Sequence, residues 1–567
     1  MKTNQAGDKP ETTDARTNRR DFMRVAAATT AAASIAALPG YPPKERRTGK
    51  VVPSADWITI SPAEDTAAIF SNPDMGWVLY DDYPMHARSV LGTPASPLLA
   101  LPDENFAGVD NAALMFCWNN VEKEQGVYDF SKVDYAYDYW KKRGKNIMFR
   151  MATASWVVPN GQGPPTYLIE RMGPGRKQWR GMGPTLPHAC AHYWELDYLD
   201  GFYQDRLRAF LEATAKHYSN SGDRPLKLID LRGFGTWGEW HNGFIYPNME
   251  YIAVEYREPY LRQRREALKS ILNIWSAAFP ENHLALSYSY DPDSPQSYWS
   301  GPVDQFNPAC TTTYPKFLRF SAFDYAMTIP NVTWRRDGCG GSVHSNERLL
   351  NMNAFNSLKT GPFMSEFMYG YSPKLKQRDI DWAVDDALSL HPNYMNIMSC
   401  AGGPDGAAFI KNQPEKIAYG MRHMGYRLRP MRISYPKTIR SGKPFELQME
   451  WVNQGVGRAM CDFHLHVLLT DAAGRVMARG DTGPLPTSRW IKAPAYDGRS
   501  VWRVGPVPTG NGPIYSIMRR LILSVPRSGN FLLSMAMIDP RTGAPVRLPL
   551  KSGHKHGYVI GPVTLRG

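Results

Sequence analysis

The sequence predicts an α/β protein, a (β/α)8 TIM barrel followed by a C-terminal antiparallel β-sandwich. Three observations carry this. From about residue 57 to 425, short β-branched or apolar runs alternate with longer helical patterns, as βα units around a parallel sheet require. Eight such runs can be counted, and eight right-handed repeats close into a barrel. After Tyr426 long helical periodicity stops and two-residue alternation replaces it, the mark of half-buried strands.

The expected barrel strands are Met75–Tyr80, Ala112–Trp118, Asn146–Ala152, Lys227–Phe234, His283–Tyr288, Val332–Arg336, Pro362–Phe367 and Tyr394–Ser399. Helical spacing lies between them. In Phe202–Tyr218 the apolar residues Tyr203, Leu207, Phe210, Leu211 and Ala215 fall on one face, and a second helical pattern runs over Tyr256–Phe279. Beyond 426, Phe445, Leu447, Met449 and Trp451 alternate with polar neighbours, as do Phe463, Leu465, Val467 and Leu469. Asn453-Gln454-Gly455 and Asp471-Ala472-Ala473-Gly474 supply turns between such strands. The sandwich is expected to pack on the barrel as a structural accessory.

The chain of 567 residues is longer than one core usually fills. Its 43% apolar and 12% aromatic content supplies large cores, and a mean hydropathy of -0.43 excludes a polytopic membrane protein. The formal charge is +13, of which the first fifty residues contribute +5. Basic pairs such as Arg264-Arg265, Arg335-Arg336 and Arg519-Arg520 are scattered, without the clustering that nucleic-acid binding needs. Six cysteines, at 117, 190, 310, 339, 400 and 461, form no CxxC pair and no regular spacing, so no disulfide framework is indicated. Cys117, Cys339 and Cys400 fall in or beside apolar runs, where a free thiol behaves as a small hydrophobe.

Thr17 to Val25 reads T-N-R-R-D-F-M-R-V, followed by a small-residue apolar run to Leu38. This resembles a twin-arginine export signal, built on Arg19-Arg20 and Phe22, with an apolar stretch too short to span a bilayer. Residues 1–40 are accordingly read as the signal, 41–56 as a linker, 57–425 as the barrel and 426–567 as the sandwich. The resemblance implies the twin-arginine machinery as partner, a periplasmic or extracellular destination, and no stable membrane span in the mature protein.

In a barrel of this type the active site forms at the carboxyl ends of the strands. The fourth run exits through L-I-D-L-R-G-F-G-T-W-G-E-W-H-N, placing Glu239 among Trp237, Trp240 and His241; the seventh reads G-P-F-M-S-E-F-M-Y-G-Y, with Glu366 ahead of Tyr369 and Tyr371. A carboxyl group among aromatic rings is poorly solvated and tends to keep its proton, which suits Glu239 as a general acid. Glu366 can supply the second carboxylate that cleavage of a glycosidic bond needs. Arg150 and Arg232, near the ends of the third and fourth runs, can orient carboxylates or bind hydroxyls. Trp118 and Trp156 at strand ends can stack on sugar. Asn119, Tyr288, Asp291 and His241 are further candidate contacts. Asp337, after the sixth run, is a rival carboxylate and equally an Asx-turn residue. No cofactor is called for, and no metal site is expected: His241 and His188 have no partner at ligand spacing, and no metal-binding H-x-H or HExxH motif is placed on a strand or helix.

The strand-four and strand-seven glutamates resemble the clan of retaining (β/α)8 glycoside hydrolases, in which the acid/base follows strand four and the nucleophile strand seven. The passage C-W-N-N-V-E-K-E-Q-G-V-Y-D-F-S-K-V-D, residues 117–134, is similar to one in β-galactosidase-like barrels of that clan. G-T-W-G-E-W-H and the sandwich after G-Y-R-L most resemble a bacterial glycosidase-like family of DUF4832 type. The resemblance implies an exported retaining glycosidase acting on an oligo- or polysaccharide. One departure stands out: the clan's acid/base usually follows Asn, and here Gly238 precedes Glu239. Two alternatives belong to other classes. One is a non-catalytic carbohydrate-binding barrel; the other is a polysaccharide lyase on uronic-acid glycans, with His241 or Tyr369 as base and Arg232 neutralising charge.

Overall fold

The computed structural model describes residues 56–567 apart from 71, 82–108, 154–155, 158–162, 173–192, 195–197, 199, 219–223, 235–237, 241–253, 288–324, 327, 341–360, 368–369, 399–403 and 493–511. The expected export signal and nearly all of the linker therefore lie outside the described residues.

Eight parallel strands form a closed barrel: β1 (Gly76–Asp81), β2 (Asn111–Cys117), β3 (Asn146–Ala152), β4 (Leu228–Leu231), β5 (His283–Ser287), β6 (Val332–Cys339), β7 (Met364–Phe367) and β8 (Tyr394–Asn396). Each lies on one of the eight runs read from the sequence. Closure is made by β8 against β1, with Tyr394 opposite Gly76 and Asn396 opposite Val78. The outer ring includes α1 (Ser131–Lys142), α2 (Gly201–His217), α3 (Val254–Ala278) and α4 (Gln377–Leu388). Helix α2 starts where Asp200 accepts a hydrogen bond from the Phe202 amide at 2.8 Å, a side-chain N-cap.

Strand parity divides the core in two. Trp77, Leu79, Leu114, Phe116, Phe149, Ile229, Leu231, Leu284, Leu286 and Trp334 belong to the large cluster that includes the helices' apolar faces. The alternate residues Val78, Tyr80, Ala113, Met115, Cys117, Met148, Leu228, Ala285, Met364 and Tyr394 form a second, smaller cluster. These fill the barrel interior, since successive strand side chains point to opposite faces.

The sandwich has two sheets. One runs Trp57–Ile60, β9 (Leu428–Pro436), β11 (Pro444–Asn453), β14 (Tyr515–Ile522); the other runs β10 (Thr438–Arg440), β16 (Gly557–Arg566), β15 (Gly529–Ile538), β12 (His464–Thr470), β13 (Val476–Pro484). Residues 57–60, assigned to the barrel by the sequence reading, belong here: Trp57 to Ile60 pair antiparallel with Pro436 to Ile433. A four-residue apolar run carries no mark of which sheet will take it as an edge strand, and only the completed sandwich presents the free edge of β9.

Contacts of the sandwich fall on residues that precede β1 and β8. The Asn393 side-chain amide donates to Asp74 O and Arg458 O, each at 2.8 Å. His391 Nδ1 lies 3.0 Å from Val456 O. The sandwich thus braces the amino-terminal ends of the strands, opposite the end that carries Glu239 and Glu366.

Candidate active site

Strand β4 ends at Leu231, three residues earlier than the sequence run suggests, because the chain there bends tightly to present Glu239. Gly233 packs against α3 so closely that a Cβ would lie 2.9 Å from Ile271 Cγ2 and 3.0 Å from Trp275 Nε1. Phe234 and Glu239 form an isolated parallel bridge, and the Trp240 amide donates to Phe234 O at 2.9 Å. Gly238 has φ 72° and Trp240 φ 62°, so Glu239 sits between two left-handed residues, the second of them strained for a large side chain. The Trp240 indole, buried and donating to Leu231 O at 2.8 Å, holds that turn on the barrel. Glycine before Glu239, where the clan pattern has Asn, takes this left-handed backbone at no steric cost.

Glu239 is 6% exposed and Glu366 is 4% exposed, so each needs compensation for its charge. Three buried arginines provide it. Arg150 from β3 donates through Nη2 to Glu366 Oε1 at 2.8 Å and to Glu239 Oε1 at 3.5 Å, and through Nε to Asp230 Oδ2 at 3.1 Å. Arg232 reaches Glu239 Oε1 at 2.7 Å and Asp230 Oδ2 at 2.9 Å. Arg335 from β6 reaches Glu239 Oε1 at 3.0 Å and Asp230 Oδ1 at 3.1 Å, and its Nη1 meets Glu366 Oε2. The Arg150 guanidinium also lies 4.0 Å over the Tyr80 ring, a cation–π contact in a dry setting. Burial works against the charge on Asp230, but Arg335, Arg232 and Arg150 outweigh it and hold the carboxyl below its usual range.

The three guanidiniums add to the setting of Glu239 a charge that the sequence reading does not anticipate. The sequence reading places it among aromatic rings, of which Trp237 and His241 lie outside the described residues; one of its oxygens accepts from three guanidiniums, contacts that favour a carboxylate over a carboxylic acid. The two glutamates share a donor nitrogen, Arg150 Nη2, at 3.5 and 2.8 Å. One oxygen of each carboxylate is thus within ion-pair reach of the same nitrogen.

Of the expected contacts, Arg150 and Arg232 join this cluster. Trp118 does not: it is fully buried, stacked on Phe210 of α2 at 5.1 Å between centroids, and donates through Nε1 to Glu122 Oε2 at 2.6 Å. It packs the outer core and cannot stack on sugar, because its parity at the end of β2 turns it toward the helices. Asn119 is half-buried in the short helix Trp118–Val121 just past β2. Trp156 pairs through its backbone with Trp194; its side chain is not described. The backbone of Asp337 lies in β6 where the register with β7 shifts, and its side chain is likewise outside the described residues. Trp237, His241, Tyr288, Asp291 and Tyr369 all lie outside them. Cys117 and Cys339 are free and buried.

Two members of the cluster, Asp230 and Arg335, escape the sequence reading. Their signal is parity. Asp230 and Arg232 stand two apart, as do Leu228 and Asp230, and Arg150 is two from the interior residues Met148 and Ala152. Arg335 lies opposite Ser287 of β5, and Arg150 opposite Asp230. Its neighbour Arg336 faces the other way, 3.8 Å from the buried Asp386 of α4. A pair that looks like scattered surface basicity is thus two buried cations on opposite faces of one strand.

No protein-family model matches the chain, and no curated protein matches it. Among solved structures it is similar to endo-glycoceramidase II from Rhodococcus sp., with 12% identity over 90% of this chain and 100% of that one at a TM-score of 0.35. It is also similar to an endo-beta-1,4-mannanase from Thermotoga petrophila, with 10% identity over 87% and 98% at 0.36. A β-galactosidase from Rahnella sp. R3 gives 10% identity over 67% and 60% at 0.37. Likeness of this degree adds nothing to the barrel beyond its own strand pairing. The resemblance to the DUF4832 type rests on the sequence motifs alone.

Proposed function

We propose that the protein is an exported glycoside hydrolase of the retaining type, with Glu366 as nucleophile and Glu239 as acid/base. The observation that carries this reading is the convergence of the two glutamates, from the fourth and seventh strands, on the shared donors Arg150 and Arg335 at the carboxyl end of the barrel. Their closeness supports direct displacement rather than a water held between them. Glu366 attacks the anomeric carbon and the bond to the leaving oxygen breaks. The leaving oxygen takes a proton from Glu239, and Glu239 then draws one from the water that releases the sugar.

In the free protein the guanidiniums favour charge on both carboxylates. A substrate hydroxyl that draws a guanidinium away from Oε1 would let Glu239 take up the proton that the acid role needs. Export rests on Arg19-Arg20 and the apolar run behind them. Turnover of a panel of nitrophenyl glycosides and polysaccharides, lost in Glu366→Ala and recovered as a glycosyl azide on adding azide, is the result expected.

A second reading has its own support. Among the described residues three arginines face three carboxylates, and such a cluster equally suits a barrel that binds carbohydrate without cleaving it. Saturable glycan binding with no turnover of any substrate in the panel would establish that reading and end the catalytic one.

A further inference from the structure

The strand that the sequence predicts over Phe463 to Leu469 carries an H-x-H pair, where no metal-binding motif is expected. His464-Leu465-His466 opens β12, and alternation puts both imidazoles on one face of the sheet while Leu465 is buried on the other. The neighbouring strand β13 runs antiparallel and sets Asp481 opposite His466. His464 Nδ1 stands 2.9 Å from Asp481 Oδ2, and His466 Nε2 stands 3.7 Å from the same oxygen. All three candidate ligand atoms lie within 4.8 Å of one another. We propose that His464, His466 and Asp481 form a zinc site on the outer face of the sandwich hairpin.

The geometry suits that ion. Ligand atoms at about 2.0 to 2.2 Å from a tetrahedral zinc stand roughly 3.3 to 3.5 Å from each other, and the distances of 2.9 and 3.7 Å straddle that value. His466 is unsatisfied as it stands: its Nδ1 is buried without a hydrogen-bond partner, and its Nε2 is too far from Asp481 for a hydrogen bond. A metal between them gives Nε2 a partner. Asp481 is already oriented, because its Oδ1 accepts from the Gly483 amide at 2.8 Å and leaves Oδ2 turned toward the histidines. A ligand fixed by a second hydrogen bond of this kind is the usual support of a metal site.

The donor set selects the ion class. Two nitrogens and one oxygen suit zinc, copper or nickel, whereas magnesium and calcium need oxygen ligands. The side chains of His464, His466 and Asp481 are 30%, 17% and 45% exposed, so water can complete the coordination sphere. The site lies on the sandwich, apart from the barrel carboxylates, and does not depend on the reaction proposed for them.

The test uses the full chain. Zinc titrated against a chromophoric chelator is expected to show one tight equivalent in the parent that is lost in His464→Ala/His466→Ala, with circular dichroism confirming that the variant is folded. Cobalt(II) in place of zinc should give visible ligand-field bands in the parent and none in that variant. Asp481→Asn, which preserves the bond from Gly483, should weaken zinc binding by about tenfold or more. Glu366→Gln should leave it unchanged. Absence of a stoichiometric zinc in the parent, equal binding by the double-histidine variant, or loss of the zinc in Glu366→Gln would each overturn the assignment.

Discussion

Arg150 and Glu366 lie 216 residues apart in the chain and 2.8 Å apart across the barrel. The same guanidinium reaches Asp230 and Glu239, so one side chain of β3 ties together the third, fourth and seventh strands. Both glutamates are bound into that tie, which links the stability of the barrel to the chemistry proposed at its mouth.

Removing one cation from the cluster should be costly. Arg335→Met leaves carboxylate charge buried without its full complement, and breaking such a pair costs about 3–5 kcal/mol. Equilibrium unfolding in guanidinium chloride should show that loss. A variant as stable as the parent would mean that the remaining arginines, or protonation of a carboxyl, compensate fully.

The two glutamates should differ in how their loss depends on the leaving group. Glu239→Gln should reduce kcat/KM by roughly 10²–10⁴-fold on glycosides with poor leaving groups. It should cost much less on dinitrophenyl glycosides, whose departure needs little protonation. Equal losses on both would remove Glu239 from the acid role and move attention to Asp337.

Trp118→Phe tests packing against sugar stacking. The substitution keeps the ring on Phe210 but strips Glu122 of the indole donor, a penalty of about 1–3 kcal/mol for a buried group. Stability measured by denaturant should fall while KM for any accepted glycoside stays the same. A raised KM with unchanged stability would return Trp118 to the substrate.

Acid should weaken the junction between barrel and sandwich through His391. Burial, against the hydrogen bond to Val456 O, lowers its pKa to about 4, whereas an unfolded histidine titrates near 6.5. Between those values the unfolded chain binds the extra proton, so this contribution falls as pH drops from about 6.5 to 4, by on the order of 3 kcal/mol. Asp230 adds a loss at lower pH: its carboxyl is held below the usual range, so its contribution is complete above about 3.9 and disappears as pH falls through the folded value. In His391→Asn, which can keep a donor at this left-handed position (φ 59°), Tm should fall less steeply between pH 6.5 and 4.

Much of the barrel is legible because strand and helix periods are local. Each of the eight runs carries its own hydrophobic pattern, and the glutamates at the fourth and seventh exits can be found by counting. The electrostatic setting of Glu239 is not legible in that way. Its sequence neighbours are aromatic, but its ion-pair partners come from residues 150, 232 and 335: β3 pairs with β4, and the curvature of the barrel turns β6 toward the same interior. Parity within each strand could have marked Asp230 and Arg335 as interior, had every residue of an apolar run been assigned to a face.

By itself the sequence determined the order of elements, the division into barrel and sandwich, and the strands on which Glu239 and Glu366 stand, because these follow from spacing along the chain. Tertiary structure alone decided that Trp118 packs outward, that Trp57–Ile60 joins the strand at Pro436 to Ile433, 373 to 379 residues further along the chain, and that His464, His466 and Asp481 share one face. The reason is the same in each case. Which side chain meets which depends on strand register and closure, and both are settled by contacts between residues far apart in the chain.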